Sequence, residues 1–511
     1  MGRKRKKRVV QVAKNTPREV SKTSTTIKMV SGIGYNNKDD PSLSKWYTYS
    51  ESPDNDILWD LDDLRAKSRN LYMNNELAGA ALKKMRTKIV GTGLLPKPTI
   101  NYQIAGITKE KAKEYEKIIK AKFNAWASST NADFNRMHDF FTIQALIQLS
   151  WIMNGDAFII PKRKKRAGVE IDLCLQMIEA DRVVNPRFTY NQLIKGGVEF
   201  SENGDLLKYY IADRHPGDGY SEIKGYPVFN NLGRRNILHI FEPERIGQRR
   251  GVPLLASIIY PIKNLGKYKE AELIAAVINA SLGFIVETKD PENFINGSAF
   301  GSSDSDTDGE AKKERTDKIS LEHGMGIIAK EGETIKEFTT TRPNKSYKEF
   351  VDAVYEEIGA QLEIPHEVLM SSFKASYSAA KASLEEAHQR FLVCRKLLER
   401  TLCQPIYEEF ILELIRNGDV DCPNFFENEV VRYAFTRCIW VGSGKSSLDP
   451  LKEANANKTS LDNYTTTRGI IAAESGLDFD EMLEARLEEE IKIAEIQKKI
   501  KEEIKGGEIN V

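Results

Sequence analysis

The run His239-Ile-Phe-Glu-Pro-Glu-Arg-Ile-Gly-Gln-Arg-Arg-Gly-Val-Pro-Leu-Leu255 holds the change of pattern on which the fold turns. Residues 237–241 form a short apolar run of strand character, and Pro243, Gly247 and Gly251 then break it up. From Pro253 the period changes. Leu255, Ile258, Ile262, Leu265, Tyr268, Leu273, Ala276 and Ile278 follow at helical spacing out to about Ala280. Pro253 suits a first helical turn, and Pro261 marks an expected kink. The passage therefore joins a β-rich region before it to a helical region after it.

Working back from this junction, residues 206–211 and 197–200 read as strands. Residues 157–160 and 169–177 read as a hairpin with Lys162, Arg163, Lys164, Lys165 and Arg166 at its tip. Five cations on a tip cannot be core; they are either a solvated turn or a patch that faces phosphate or an acidic partner. Further back, helices are expected over 137–151, 109–126 and from Asp56 to the Gly91-Thr-Gly93 stop. Residues 1–55 are polar and broken by Gly and Pro, with an unbroken basic run over 3–8, and read as a flexible basic arm.

Working forward, short strands are expected over 284–287, 326–329 and 334–338. Between the first two lies the Ser/Asp-rich stretch 296–309, too polar to bury much and expected to be a mobile loop. An amphipathic helix over 347–362 stops before Ile364-Pro365. The polar stretch 371–378 interrupts the pattern, and a long helix resumes at about Ala379 with Leu384, Ala387, Phe391, Cys394, Leu398 and Leu402 on one face. Pro405 is an expected kink in it. The tail over 486–505 mixes Glu and Lys around Leu487, Ile491, Ile496, Ile500 and Ile504, as a coiled-coil-like or surface helix does. The fold class expected is α+β, mostly helical.

Composition narrows the function. Of 511 residues, 41% are hydrophobic, enough for real cores, so wholesale disorder is excluded. Lys+Arg 75 against Asp+Glu 74 leaves +1, which excludes a globally basic nucleic-acid coat. The five cysteines, Cys174, Cys394, Cys403, Cys422 and Cys438, have no C-x-x-C spacing and read as small buried thiols of a reducing compartment. With no apolar leader after Met1 and residues 273–286 too short to span a bilayer, a soluble cytoplasmic protein is expected, with no membrane partner.

Two motifs imitate ligand sites. Val441-Gly-Ser-Gly-Lys-Ser-Ser447 resembles a phosphate loop, but Ile439 stands where its first Gly belongs and Asp449-Pro450 follows where a helix should. Asp304-Ser-Asp-Thr-Asp-Gly309 resembles half a calcium loop, but Arg315 replaces its bidentate Glu. No catalytic residues, cofactor or metal are expected, and the chain does not read as an enzyme.

The junction, together with Lys267-Tyr268 and Ala271-Glu-Leu-Ile-Ala-Ala276, resembles the central signature of lambda-type phage portal proteins. Other stretches resemble the same family in the same order. They are Arg69 to Asn75 with Ile89-Val-Gly-Thr-Gly93, Ile178-Glu-Ala-Asp-Arg-Val183, Ser376-Tyr-Ser-Ala379 with residues 385–391, Asp449-Pro-Leu-Lys-Glu-Ala454 and Ala473-Glu-Ser-Gly-Leu-Asp478. The similarity spans roughly residues 60–490. The first fifty residues, the insert near 300 and the last twenty depart from it.

The resemblance implies a portal fold: an α/β wing (56–250), a stem helix (251–283), a β-containing clip (284–343), a returning stem helix (344–366), a channel loop (367–379), a long helix (380–415) and a helical crown with an acidic tail (416–511). It implies a cyclic homo-oligomer, typically of twelve copies, at one capsid vertex, around a channel for packaging and ejecting double-stranded DNA. The implied partners are the terminase large subunit, the major capsid protein or scaffold, and a head–tail connector or adaptor. The implied place is the virion, with assembly in the host cytoplasm. Phe373, Lys374, Ser376, Tyr377 and Ser378 become the channel-facing candidates. The alternative is a non-enzymatic helical adaptor or scaffold that binds an acidic partner or nucleic acid through residues 3–8 and the 162–166 tip.

Overall fold

The computed structural model describes residues 50–231, 233–281, 285–288, 333–336, 346–372, 376–442, 444 and 450–507. The chain divides into two units, Met1–Ser52 and Pro53–Val511, and every element below belongs to the second. The basic run over 3–8, the acidic motif 304–309 and the expected strand over 326–329 lie outside the described residues, as does most of the phosphate-loop imitation.

The helices are α1 (Pro53–Leu58), α2 (Leu61–Asn74), α3 (Glu76–Ile89), α4 (Tyr102–Ala105), α5 (Lys109–Ala127), α6 (Phe140–Asn154), α7 (Ile259–Ser281), α8 (Tyr347–Gln361), α9 (His366–Met370), α10 (Tyr377–Leu398), α11 (Gln404–Asn417), α12 (Glu429–Phe435), α13 (Pro450–Asp462), α14 (Arg468–Glu474) and α15 (Phe479–Gly507). The strands are β1 (Leu95–Pro98), β2 (Asp156–Arg163), β3 (Leu173–Ile178), β4 (Ile194–Lys195), β5 (Val198–Phe200), β6 (Leu206–Ala212), β7 (Ile223–Pro227), β8 (Leu238–Phe241), β9 (Ile285–Thr288), β10 (Glu333–Lys336) and β11 (Cys438–Val441). The class is α+β and mostly helical, as expected from the sequence.

Capping residues set several helix starts. Asn75 accepts from the Ala78 N–H at 3.0 Å, Thr108 from Lys111 at 3.3 Å and Asp139 from Thr142 at 2.7 Å. Asn75 therefore divides what periodicity alone reads as one helix after Asp56. Helix α6 is apolar all round because it is central: Phe140, Ile143, Ile147, Trp151 and Ile152 are all buried. Its buried Gln144 closes both polar groups of Leu94, accepting from N–H at 2.7 Å and donating to C=O at 3.0 Å.

Strand β2 sits between β3 and β8, antiparallel to both. Because side chains alternate, Ala157 and Ile159 enter the main core while Phe158 and Ile160 enter a second one with Val198, Tyr209 and Ile211. The second core lies under the meander β4-β5-β6-β7. An aromatic cluster (Phe123, Trp126, Phe140, Tyr407, Phe410) ties α5 and α6 to α11.

Three expectations change. Pro253 precedes the helix: residues 256–258 form a 3-10 turn and α7 begins at Ile259, which puts Pro261 in the first turn, where its missing N–H breaks no bond. Pro405 produces a π-helical turn, Glu399–Cys403, between α10 and α11, because it cannot donate back to the preceding turn. The interruption near 371 is shorter than expected: α9 precedes it, and Tyr377 and Ser378 already belong to α10. The chain after 416 first returns to the body, where Val420, Phe425, Phe435 and Trp440 join the main core and β11 pairs with β1.

Candidate functional site: the signature joint and the loop before the long helix

The signature residues converge on one buried carboxylate. Asp156 opens β2, at 0% exposure, between Arg65 of α2 (1%) and Arg250 (2%). Arg250 Nε donates to Oδ2 at 2.6 Å and Nη2 to Oδ1 at 3.2 Å; Arg65 Nη2 donates to Oδ1 at 3.1 Å. The remaining guanidinium hydrogens of Arg250 are also placed, and Arg65 Nη1 faces the exposed Asp62 at 3.6 Å. Arg250 donates to the carbonyls of Ala180 (2.7 Å), Val183 (2.8 Å) and Gly196 (2.7 Å), and Arg65 to that of Asn154 (3.0 Å). Burial alone would raise the Asp156 pKa, but the two guanidiniums hold it far below the usual carboxylate range. Burial and the neighbouring Arg250 push Arg65 down to about 10, still a cation at neutral pH.

His239 completes the joint. Its ring stacks between Phe158 (4.2 Å) and Phe241 (4.3 Å), with Nε2 3.4 Å from Asp156 and Nδ1 3.2 Å from the Tyr209 hydroxyl. Burial lowers its pKa against the pull of Asp156, so the ring is neutral. The partners fix the tautomer: Nε2–H donates to the carboxylate and Nδ1 accepts from Tyr209. Gly155 and Gly251 meet backbone to backbone here; a Cβ on Gly251 would lie 1.9 Å from the Gly155 carbonyl oxygen. The arrangement is a buried, charge-paired structural lock. Chemically it offers no exposed nucleophile or base.

A second set of contacts pins helix ends around the expected channel loop. Lys84 of α3 donates from Nζ to the carbonyls of Val368 (2.9 Å) and Leu369 (2.6 Å) and to Ser371 Oγ (2.6 Å), closing the end of α9. Arg395 of α10 does the same for α3, donating to Ile89 and Lys88 carbonyls, both at 2.9 Å. Ser371 turns the chain at φ +53°, and Ser376 caps α10 by accepting from Ala379 N–H at 3.4 Å. Arg390 of α10 reaches the signature segment through a two-bond pair with Glu242 at 2.8 and 2.9 Å. Phe373 and Lys374 lie outside the described residues; Ser376 and Ser378 are exposed.

The basic tip is largely spent on the body. Arg163 pairs with Glu409 at 2.8 Å, and Arg166 donates to the carbonyls of Asn131, Asp133 and Phe134 at 2.6–3.1 Å. Lys162 and Lys164 both lie 4.8 Å from the Phe134 ring centre. Among the described residues, Lys165 is the exposed tip cation with no such contact. Glu179, Asp181 and His215 form a cluster with metal-ligand chemistry, their ligand atoms within 4.8 Å of one another. Arg69 already binds Asp181 (2.6 Å) and Glu179 (3.5 Å), and His215 Nδ1 accepts from Gly217 N–H at 2.9 Å. Among the described residues no helix is long and apolar enough to cross a membrane.

Residues 39–395 match the family described as phage portal protein, lambda family. The chain belongs to that family of phage portal proteins. It is similar to portal protein B of Escherichia phage lambda, 24% identical over 467 residues that cover 88% of this chain and 87% of that one. It is equally similar to the portal protein of Escherichia phage N15, 24% identical over 468 residues with the same coverage. Among solved structures it is similar to a chain of the neck of the native GTA particle, computed with C12 symmetry. That likeness has a TM-score of 0.40 and 9% identity, and covers 82% of this chain and 93% of that one.

As a portal protein the chain is a structural component of the phage head's portal vertex and not an enzyme. The buried lock accounts physically for the portal signature: Glu242, His239, Arg250 and Gly251 each hold a partner distant in sequence. Sequence reading found the stretch but missed these roles. The one local signal was a pair of arginines flanked by glycine beside apolar runs.

Proposed function

We propose that this portal protein closes into a twelve-membered ring around a channel through which double-stranded DNA is packaged and ejected. In this reading residues 56–250 are the wing, α7 and α8 the two-helix stem (251–283 and 344–366), and 284–343 the clip, to which β9 and β10 belong. Residues 367–379 are the channel loop, 380–415 the long helix, and 416–511 the crown and tail. The terminase large subunit docks on the clip and supplies the ATP-driven work. The other partners in this reading are a head–tail connector or adaptor and the major capsid protein or scaffold. Assembly takes place in the host cytoplasm.

Family membership across residues 39–395 is the observation that carries this reading. Tyr260, Leu273, Ile274 and Val277 of α7 and Phe350 of α8 support it, being half to three-quarters exposed on helices whose other faces are packed. Apolar side chains on this scale call for neighbouring copies. A net charge of +1 suits a conduit, because duplex DNA carries a charge about every 1.7 Å and a strongly cationic bore would hold it fast. Lys374 would make transient, sequence-blind contact with phosphates, one cation per subunit, while Ser376 and Ser378 offer passing hydrogen bonds.

The test compares DNA-filled heads from wild type and Lys374→Glu, with ring formation checked in both. Reduced packaged length or genome retention in intact rings is expected. Equal yields of full, stable heads would remove Lys374 from the channel.

A further inference from the structure

Helix α15 is 29 residues, about 43 Å long, and is attached to the body at its beginning. Asp478 and Asp480 bind Lys97 at 2.7 Å, Glu481 binds Lys120 at 2.6 Å and Glu484 binds Lys117 at 3.1 Å. Every residue from 481 to 501 is exposed. Yet this stretch holds seven large aliphatic side chains, each 43–62% exposed. A solvated helix has no use for them.

Their placement is not random. At about 100° per residue, Met482, Ile493, Ile496 and Ile500 fall on one stripe. Leu483, Leu487 and Ile491 fall on a second, centred about 145° from the first. Glu481 and Glu484, which hold the helix to the body, lie on the wide polar arc between the stripes. The narrow arc carries Arg486, Glu490, Gln497 and Lys501, a polar surface of nearly balanced charge.

A helix that pairs with one partner needs one stripe. Two unlike stripes on opposite flanks suit head-to-tail packing, in which each helix meets a different face of the next. In a closed ring of twelve parallel helices the directions to the two neighbours differ by about 150°, close to the separation seen here.

We propose that α15 packs between the α15 helices of two neighbouring copies, stripe against unlike stripe, to form a helical collar with the narrow polar arc toward its axis. The occupant of both stripes is a second copy of this chain. The proposal rests on the ring reading and adds an interface to it.

Ile491 and Ile493 stand at nearly the same height on opposite stripes, so thiols placed there cannot meet within one chain but meet across the interface. Rings of the Ile491→Cys/Ile493→Cys double variant should give, on mild oxidation, a non-reducing ladder of covalent multimers up to the full ring. Each single variant should give none. The native thiols do not confuse the readout, since four are buried and Cys438 is half-buried. Light scattering on the same samples reports whether the ring is intact. Intact rings without a ladder overturn the collar and leave the ring reading standing, and a single variant that stops at dimers shows like-on-like pairing and also overturns it. A sample that is monomeric throughout overturns the ring reading and the collar with it.

Discussion

Asp156 is the residue whose loss should cost most. Replacing it by alanine removes the carboxylate that Arg250 pairs with and leaves Arg65 only the exposed Asp62 at 3.6 Å, and breaking such a buried pair costs about 3–5 kcal/mol. Urea denaturation of Asp156→Ala should show a midpoint lowered accordingly; an unchanged midpoint would mean that water reaches the joint. His239 gives the joint a pH dependence. Its pKa is lowered by folding, so its stabilising effect is present above the unfolded value of about 6.5 and is lost as pH falls below it. A melting-temperature profile should decline more steeply between about pH 6.5 and 5 for wild type than for His239→Gln. None of this was legible locally, because Arg250 finds Asp156 94 residues earlier in the chain. Periodicity reports which face is buried, not which distant charge waits there.

At the scale of elements the sequence was more open. Helices α5, α7, α8, α10 and α15 and strands β2, β3, β5, β6 and β8 lie close to their expected places, because each carries an amphipathic or apolar run of its own length. Strands β1 and β11 were missed: each is four residues long, β1 holds two prolines, and they exist only by pairing with each other across most of the chain. Helix α9 was missed for the same reason, since five residues cannot hold a helix without outside help. That help is Lys84. Removing its charge in Lys84→Met should speed hydrogen exchange over 367–372 while leaving α5 and α6 protected, and equal protection in both proteins would place the clamp elsewhere. Ser376→Ala should cost about 1 kcal/mol by uncapping α10, seen as a matching loss in denaturant stability.

At the scale of the molecule, family membership and the exposed apolar side chains of α7, α8 and α15 point the same way. The buried lock fixes where α7 leaves the sheets, the pinned helix ends fix where the loop before α10 begins, and the apolar side chains of α7, α8 and α15 stay exposed beside them. The lock's residues were legible only as a signature; the faces were legible as aliphatic spacing but not as exposure, which depends on what else packs there. The direct test is the mass of the purified full-length chain by light scattering in native buffer. A cyclic assembly of about 0.7 MDa, about twelve times the 57.8 kDa chain, is expected. A species that stays at 57.8 kDa across native conditions would contradict the account.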